Sequence, residues 1–308
     1  MINESLLDTA EFSGFGPREQ ELQTISSLVE VDIGGLSEQG NVRSNNEDTF
    51  LVARLDRTMN TLQTNLPIGT YHAAISETCY GMLVADGMGG HAAGEVASQT
   101  AAQVMLNLVL QTPDWIMRLD ESSSDRVVQR TQERVQQIQA ALSELARTDR
   151  SLSGMGTTLT LAASLGADLL IAHVGDSRAY IMRQGHLQQL TRDQTMAQAM
   201  VDAGMLTAEV AAKHSLRHVL TGVLTTTDKT VPLEVEWFRL LDGDQILLCS
   251  DGLSDMVPQA KIGELLNQTG PASEICRTLV DAALEAGGRD NVTAVLARYR
   301  MPLPIVSA

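Results

Sequence analysis

The order of strand-like and helix-like segments constrains the fold of this 308-residue chain more than any other feature of its sequence. Apolar runs of strand length come in blocks. Two blocks are each followed by a pair of helical patterns, the first over about 90–111 and 124–147, the second within 258–286. A parallel sheet would instead need strands and helices in strict alternation. The blocks therefore predict an α+β fold, with antiparallel sheets that carry helix pairs on their outer faces.

The spacing of the apolar residues supports this assignment. In the second helical pattern Val127, Thr131, Val135, Ile138 and Leu142 recur every three or four residues, which places them on one face of a helix. Runs such as TTLTLAAS and LLIAHVG have strand length and are separated by turns that contain Gly and Asp. Two adjacent amphipathic helices need one apolar surface to cover, and a sheet provides such a surface.

Composition and charge exclude several classes of protein. The chain has 22 Lys and Arg against 38 Asp and Glu, a formal charge of −16, so binding to nucleic acid through phosphate neutralisation is excluded. Its three cysteines lie far apart without CxxC spacing, which argues against disulfides and zinc knuckles. No apolar run reaches the roughly 18 residues of a membrane span. We therefore expect a cytoplasmic protein that has no nucleic-acid partner and no membrane span.

A single domain is expected, because the chain shows neither an internal repeat nor a clean linker. Residues 1–30 are polar and mixed and are expected to form a mobile tail, and 301–308 form a C-terminal tail. Residues 31–300 form the domain. The stretch 56–78 is long for a hairpin loop and rich in Thr and Asn, so we expect it to leave the sheet.

Acidic residues stand where strands begin or end. Asp86 closes the run YGMLVA and Asp251 closes ILLCS, each directly before a Gly. Asp290 opens the last strand, and Glu47 and Asp48 open an early one. One Asp-Gly pair alone is usually a turn, but several such carboxylates brought together would repel one another unless a cation lay among them. Carboxylates, carbonyls and water are the ligands of hard divalent ions, so the pattern implies a Mg²⁺ or Mn²⁺ cluster.

Two other motifs suggest different chemistry. The residues that follow Asp86, GMGGHA, match the G-x-G-x-x-A fingerprint of dinucleotide-binding proteins. A carboxylate beside a pyrophosphate and a second helix in place of a parallel strand both argue against that interpretation. His214 and His218 have the spacing of metal ligands on a helix, but no acidic third ligand is near them in sequence, so surface histidines are favoured.

Seven motifs in order resemble the metal-dependent serine/threonine protein phosphatases, the protein phosphatase 2C family, in its bacterial form. They are GNVRSNNED (40–48), VADGMGG (84–90), GTTLT (156–160), VGDSRAY (174–180), LTRDQT (190–195), SDGLSD (250–255) and RDNVTAV (289–295). The resemblance covers about residues 31–298. It implies a four-layer α-β-β-α sandwich of two antiparallel sheets flanked by helix pairs, with 31–300 as the phosphatase catalytic domain.

The resemblance also implies roles for the acids. Asp86 corresponds to the carboxylate that bridges two tightly bound metal ions, and the carbonyl of Gly87 to a second ligand. Asp251 and Asp290 correspond to further ligands of the first ion. Asp176 corresponds to a residue that, with Asp251, holds a third and weaker ion in bacterial members.

Four other residues are assigned by the same resemblance. Glu47 corresponds to the acid beside the second ion, and Asp48 to the neighbour that orients bound waters. Arg43 corresponds to the arginine that binds the substrate phosphate, a role that suits a planar guanidinium with paired N–H donors. Asn291 is expected to fix Asp290 from outside the metal shell.

The implied function is hydrolysis of phosphoserine and phosphothreonine in proteins by a hydroxide activated between two divalent ions. The protein would oppose a serine/threonine kinase and act as a monomer. A pseudophosphatase that binds phosphoproteins without turnover is the alternative, although no expected ligand is missing; a hydrolase of small phosphate esters is a third possibility.

Met88 stands where many eukaryotic members carry a histidine, which leaves the general acid open, with His91 as one candidate. The segment 192–228 corresponds to the flap that borders the active site.

Overall fold

The computed structural model describes residues 26–71, 73–89, 93–111, 124–227 and 231–302. The expected tail residues 1–25 and 303–308, and the candidate acid His91, lie outside these ranges. The strands are β1 (Glu30–Glu38), β2 (Asp48–Asn60), β3 (Ala74–Met88), β4 (Gly156–Thr157), β5 (Leu159–Leu165), β6 (Asp168–Val174), β7 (Arg178–Arg183), β8 (His186–Gln189), β9 (Leu224–Thr225), β10 (Glu234–Arg239), β11 (Gln245–Cys249) and β12 (Val292–Arg300). The helices are α1 (Ala93–Gln111), α2 (Ser124–Thr148), α3 (Met196–Asp202), α4 (Ala208–Ala211), α5 (Asp251–Ser254), α6 (Gln259–Leu266) and α7 (Ala272–Glu285).

These strands form two antiparallel sheets. The smaller sheet has the order β1-β12-β11-β7-β8. In the larger sheet β10, β6, β5 and β3 follow one another, β2 pairs with β3, and the short strands β4 and β9 extend from the end of β3. The β2–β3 ladder begins with Asp48 opposite Asp86 and ends with Asn60 opposite Ala74. This register places two acidic residues side by side at one edge of the larger sheet.

Apolar side chains fill the three spaces between four layers. The inner faces of the two sheets pack against each other through fully buried residues such as Val84, Ile246 and Val295. α1 and α2 cover the outer face of the larger sheet, and α6 and α7 cover that of the smaller sheet. Each buried Val or Ile side chain contributes about 1.5–3 kcal/mol relative to an exposed one. The arrangement confirms the predicted α-β-β-α sandwich.

The helical patterns of the sequence lie where they were expected, and α2 reproduces the predicted second helix almost residue for residue. The third serine of its predicted start, Ser124, is the first helical residue. Among the helices of the described ranges, none combines the length and the apolar character that a membrane crossing requires.

The stretch 56–78 differs from its prediction. β2 continues to Asn60 and β3 begins at Ala74, so only 61–73 leaves the sheet. Residues 56–60 are all exposed, and so this ribbon lacks the alternation of apolar and polar residues by which a strand is recognised in a sequence.

The boundary of the N-terminal tail also differs from its prediction. Val29 is buried in the core between the sheets, and β1 already begins at Glu30. The backbone N–H of Thr78 donates to the buried hydroxyl of Ser26 at 3.4 Å. Residues 26–30 therefore belong to the folded domain.

Candidate metal and phosphate site

A cavity of about 650 Å³ lies where ends of strands from both sheets meet. The predicted site residues that line it are Arg43, Glu47, Asp86, Gly87, Asp176, Asp251, Asp290 and Asn291. They come from the β1–β2 loop, the end of β3, the β6–β7 turn, the start of α5 and the loop before β12. Side chains that are remote in sequence thus share one cavity. Asp48 is the predicted site residue that does not line it.

The end of β3 is held in place by backbone and hydroxyl groups of the GTTLT motif. The N–H of Asp86 donates to Thr158 Oγ1 at 2.9 Å, and its carbonyl accepts from the N–H of Thr158 at 2.9 Å. The hydroxyl of Thr157 also donates to that carbonyl, at 2.9 Å. These contacts fix the backbone, so the Asp86 carboxylate projects from a rigid strand end into the cavity.

Asp48 lies opposite Asp86 in the ladder and is almost fully buried. Its Oδ2 accepts hydrogen bonds from the hydroxyls of Ser250 at 2.7 Å and Thr293 at 2.6 Å. Its Oδ1 is buried and has no hydrogen-bond partner among the described residues. Because a buried carboxylate oxygen normally has a partner, this free oxygen fits a cation or an ordered water.

Arg43 lies on the exposed side of the cavity, and its side chain is 52% accessible. Its Nη2 donates to Asp290 Oδ2 at 2.5 Å. An arginine has five N–H donors, so this ion pair orients the guanidinium without using all of them. The pair joins the loop before β2 to the loop before β12.

Asn291 connects the same two loops. Its Oδ1 accepts from the N–H of Glu47 at 2.8 Å, and its Nδ2 donates to the carbonyls of Gln39 and Asn45, each at 2.8 Å. The backbone N–H of Asn291 donates to the Asp290 carboxylate at 2.9 Å. The main-chain amide of Asn291 therefore orients Asp290, while its side chain positions the loop that carries Arg43 and Glu47.

We expect Asn291→Ala to lower the free energy of unfolding by about 2–3 kcal/mol, because each of the three partly buried hydrogen bonds of its side chain contributes about 1 kcal/mol. Asn267→Ala is the matched control, since its amide donates one hydrogen bond, to the carbonyl of Gly263. Urea denaturation measures both variants. Equal losses in the two variants would contradict the role given to Asn291.

Close approaches at glycines give the cavity its shape. A Cβ on Gly94 would lie 2.8–2.9 Å from the carboxylate of Glu47, and one on Gly252 would lie 1.9 Å from the carbonyl oxygen of Asn291. The Asn291 carbonyl is backbone and cannot give way, so α5 can approach the loop before β12 only through glycine. The Glu47 carboxylate is the end of a flexible side chain, so a Cβ on Gly94 would displace that side chain instead.

Withdrawal from water, together with repulsion from neighbouring carboxylates, raises the pKa values of four acidic side chains at the site. The pKa of Asp86 lies well above its usual value, because burial and the charges of four neighbouring aspartates disfavour the ionised form. Burial and nearby carboxylates raise the pKa of Asp48 and of Asp176 to about 7. Burial also raises the pKa of Glu47. Oxygen ligands that repel one another in this way are suited to hard divalent cations.

The segment 192–227 brings further residues to the cavity. Arg217 Nη2 lies 3.2 Å from a carboxylate oxygen of Asp255, and His218 Nδ1 lies 3.8 Å from one of Asp251. His218 therefore lines the site, whereas its sequence favoured an ordinary surface position. The partner histidine of that spacing, His214, does not share this role, because its Nδ1 accepts from the N–H of Leu216.

Asp255 is a cavity residue that the sequence interpretation missed. A signal was present, because Asp255 follows Asp251 by four residues at the start of a helix and so lies on the same face. His218, Asp251 and Asp255 offer ligand atoms within 4.8 Å of one another. The nearby carboxylates of Asp251 and Asp255 raise the pKa of His218. The acidic site thus extends beneath the flap.

Comparison with known proteins agrees with this geometry. The family model for protein phosphatase 2C matches residues 70–296. Serine/threonine protein phosphatase PstP of Mycobacterium tuberculosis is 37% identical over 264 residues, which are 85% of this chain but only 43% of that protein. Serine/threonine phosphatase stp of Listeria innocua is 33% identical over 217 residues, 70% of this chain and 82% of that protein.

Solved structures give the same result. That of the Mycobacterium tuberculosis serine/threonine phosphatase PstP/Ppp has a TM-score of 0.69 and 34% identity, covering 88% of this chain and 99% of that chain. The catalytic domain of PstP in complex with two manganese ions has a TM-score of 0.67 and 33% identity, with the same coverage. Because the family model matches residues 70–296, and relatives that are 33–37% identical cover 70–85% of the chain, this chain belongs to the protein phosphatase 2C family.

Proposed function

We propose that this chain is a metal-dependent phosphatase that hydrolyses phosphoserine and phosphothreonine in proteins. The observation that carries the proposal is the convergence of Glu47, Asp86, Asp251 and Asp290 on one cavity beside Arg43. Membership of the protein phosphatase 2C family supports the same activity. This convergence also disfavours a pseudophosphatase, because none of the expected acidic ligands is missing.

The residues present fit divalent cations. Asp86, Asp251 and Asp290 would hold one ion, and Asp86 and Glu47 would lie on the side of a second. The Gly87 carbonyl would be a further ligand beside Asp86. Asp176 and Asp251 would hold a weaker third ion. When bound, Mg²⁺ or Mn²⁺ would lower the pKa of water and offset the negative charge of a phosphoryl group.

The chain itself supplies binding and orientation. Asp290 orients the Arg43 guanidinium, whose remaining N–H donors face solvent at the cavity and can bind two phosphoryl oxygens in parallel. Asn291 holds the loop that carries this arginine. Met88 is 37% exposed beside the site, and its thioether has no proton to give to a leaving group.

A phosphothreonine peptide, a phosphorylated sugar and a chelator test the proposal together. We expect hydrolysis of the peptide with Mn²⁺, none with excess EDTA, and recovery when Mn²⁺ is restored. Peptide binding without turnover under all three conditions would favour a pseudophosphatase. Faster hydrolysis of the sugar phosphate would favour an enzyme of small esters.

The flap is expected to select protein substrates. Arg217 lies at the cavity wall and Met205 is 66% exposed on the same flap, and we propose that both contact residues that flank the phosphate. We expect Met205→Ala and Arg217→Gln to lower kcat/KM for a phosphoprotein by about tenfold, the effect of losing one favourable contact. A small aryl phosphate should be affected less. Equal losses on both substrates would contradict this prediction, and Arg277→Gln on α7, away from the cavity, is the control.

The physiological partners follow from the proposal. A phosphatase of this kind would oppose a serine/threonine kinase and act on phosphorylated proteins in the cytoplasm. The kinase, the monomeric state and the location stay predictions. Size-exclusion chromatography with light scattering tests the second of these.

A further inference from the structure

A buried histidine outside the acidic site makes two polar contacts. His173 on β6 is 1% exposed, although imidazole is a polar group. Its Nδ1 lies 3.0 Å from Thr160 Oγ1, and its Nε2 lies 3.1 Å from the carbonyl oxygen of Arg192. Both ring nitrogens therefore have partners, one in the larger sheet and one at the first residue of the flap.

The chemistry of these partners determines which ring nitrogen of His173 carries the hydrogen. A carbonyl oxygen can only accept, so Nε2 carries the hydrogen that is donated to Arg192. Nδ1 then accepts from the hydroxyl of Thr160. Burial lowers the pKa of His173 to about 4, so the ring is neutral near pH 7. A neutral ring in this tautomer satisfies both of its nitrogens.

The polar contacts continue from Thr160 to the acidic site. Thr160 Oγ1 also lies 3.2 Å from the carbonyl oxygen of Ser177, but its one hydrogen is donated to His173, so this is a close polar contact and not a second hydrogen bond. The Ser177 hydroxyl lies 2.9 Å from that of Thr158. Thr158 Oγ1 accepts from the backbone N–H of Asp86. The side chains of Thr158, Thr160 and Ser177 are all buried. We call Thr158, Thr160, His173 and Ser177 the buried polar chain; it runs from the strand end of Asp86 to Arg192.

Both ends of the flap meet at the turn that carries Asp176. The N–H of Gln194 donates to the carbonyl of Gly175 at 2.7 Å, and the N–H of Gly175 donates to Gln194 Oε1 at 3.0 Å. On the returning side of the flap, the N–H of Thr221 donates to the carbonyl of Gln194 at 2.8 Å. We call residues 192–194, at the start of the flap, the flap root. It is hydrogen-bonded through Gln194 to one side of this turn, and the buried polar chain reaches the other side at Ser177.

We infer that His173 is a positioning residue that holds the flap root in a fixed orientation relative to Asp86 and Asp176. Through its hydrogen bond to the carbonyl of Arg192, it sets the direction in which the flap presents Arg217 and His218. The expected effect on substrate binding rests on the proposed phosphatase function. The contact between His173 and the flap can be tested without turnover.

Two conservative substitutions separate the two contacts of the ring. In His173→Gln the amide nitrogen can occupy the place of Nε2 and donate to Arg192. In His173→Asn the shorter side chain places its oxygen near Nδ1, so it can accept from Thr160 but does not reach Arg192. His173→Phe keeps the ring shape and removes both contacts.

Backbone amide hydrogen exchange over residues 196–221 of the full chain measures how often the flap opens, without any substrate. We expect exchange to become about tenfold faster in His173→Phe and His173→Asn, as for the loss of one hydrogen bond of ordinary strength. His173→Gln should restore most of the protection. On a phosphopeptide, KM should rise in the Phe and Asn variants, while kcat for a small aryl phosphate changes by less than about twofold.

Tyr299→Phe is the matched control. Tyr299 is 4% exposed, and its hydroxyl lies 3.0 Å from Ser164 Oγ, so the change also removes a buried hydrogen bond, but one that does not involve the flap. Its flap amides should exchange as in the unmodified chain. Equal exchange in the Gln and Asn variants, or faster flap exchange in Tyr299→Phe, would overturn the inference. If His173→Phe does not fold, the comparison of Gln with Asn still decides.

Discussion

Asp86→Asn is expected to abolish phosphothreonine hydrolysis while making the metal-free protein more stable. Loss of activity should exceed the roughly 10–100-fold caused by changes outside a metal's direct ligands. The physical reason is that Asp86 is the carboxylate proposed to lie between two ions, and an amide cannot bridge them with the same charge. Its backbone contacts to Thr157 and Thr158 do not depend on the side chain, so the strand end should keep its shape.

The gain in stability follows from the charges around Asp86. The pKa of this carboxyl lies well above its usual value, because burial and four neighbouring aspartates oppose its ionisation. A neutral amide of the same size removes that repulsion. We therefore expect a higher melting temperature for Asp86→Asn than for the unmodified chain when both are measured in EDTA at pH 8.

Asp244→Asn is the matched control. The Asp244 side chain is fully buried but receives two hydrogen bonds from Arg183, at 2.9 and 2.6 Å. The Arg183 side chain is 36% exposed, so losing this half-buried, charge-assisted interaction costs about 1.5–3 kcal/mol, and the same substitution should destabilise the protein here. Opposite signs for the two variants would distinguish a cation-binding carboxylate from a structural one. A lower melting temperature for Asp86→Asn in EDTA would contradict the proposed site.

The metal-free protein should also become more stable as the pH falls from 8 to 5. Asp48 and Asp176 have a pKa of about 7 in the folded protein, against about 3.9 in an unfolded chain. Between these values the folded state binds more protons, so its free energy of unfolding decreases as the pH rises. The expected change is on the order of 3 kcal/mol for one such group. The penalty is complete above pH 7 and disappears below about pH 4.

Saturating Mn²⁺ should remove this dependence, because cations favour the ionised carboxylates and bind the folded state alone. At 100 times its dissociation constant, a ligand of the folded state adds about 2.7 kcal/mol. Urea denaturation at pH 5, 6, 7 and 8, with EDTA or with Mn²⁺, measures both effects. Asp176→Asn should flatten the EDTA profile. A profile that rises with pH in EDTA would refute the assignment of the carboxylates.

Most of the sandwich could be predicted from the sequence, since each helix and each buried strand has a local signal. The apolar stripe of α2 and the strand TTLTLAAS depend only on spacing along the chain. The ribbon 56–60 with its partner residues in β3 was missed, because it lies beyond the core and its side chains are exposed. A strand that packs against no apolar surface does not need apolar residues at alternating positions.

The sequence by itself determined which acidic residues are candidates to carry the chemistry. Asp86, Asp251 and Asp290 are recognisable because each stands beside a strand, where side-chain type and turn residues are fixed by neighbours in the chain. Only the tertiary structure decided which distant residues contact one another around the site. The bond between Glu47 and Asn291 joins residues 244 positions apart, and the contact of His173 with Arg192 depends on how a flap folds back onto a sheet. No local pattern encodes such contacts, because their free energy arises only when distant segments are packed together.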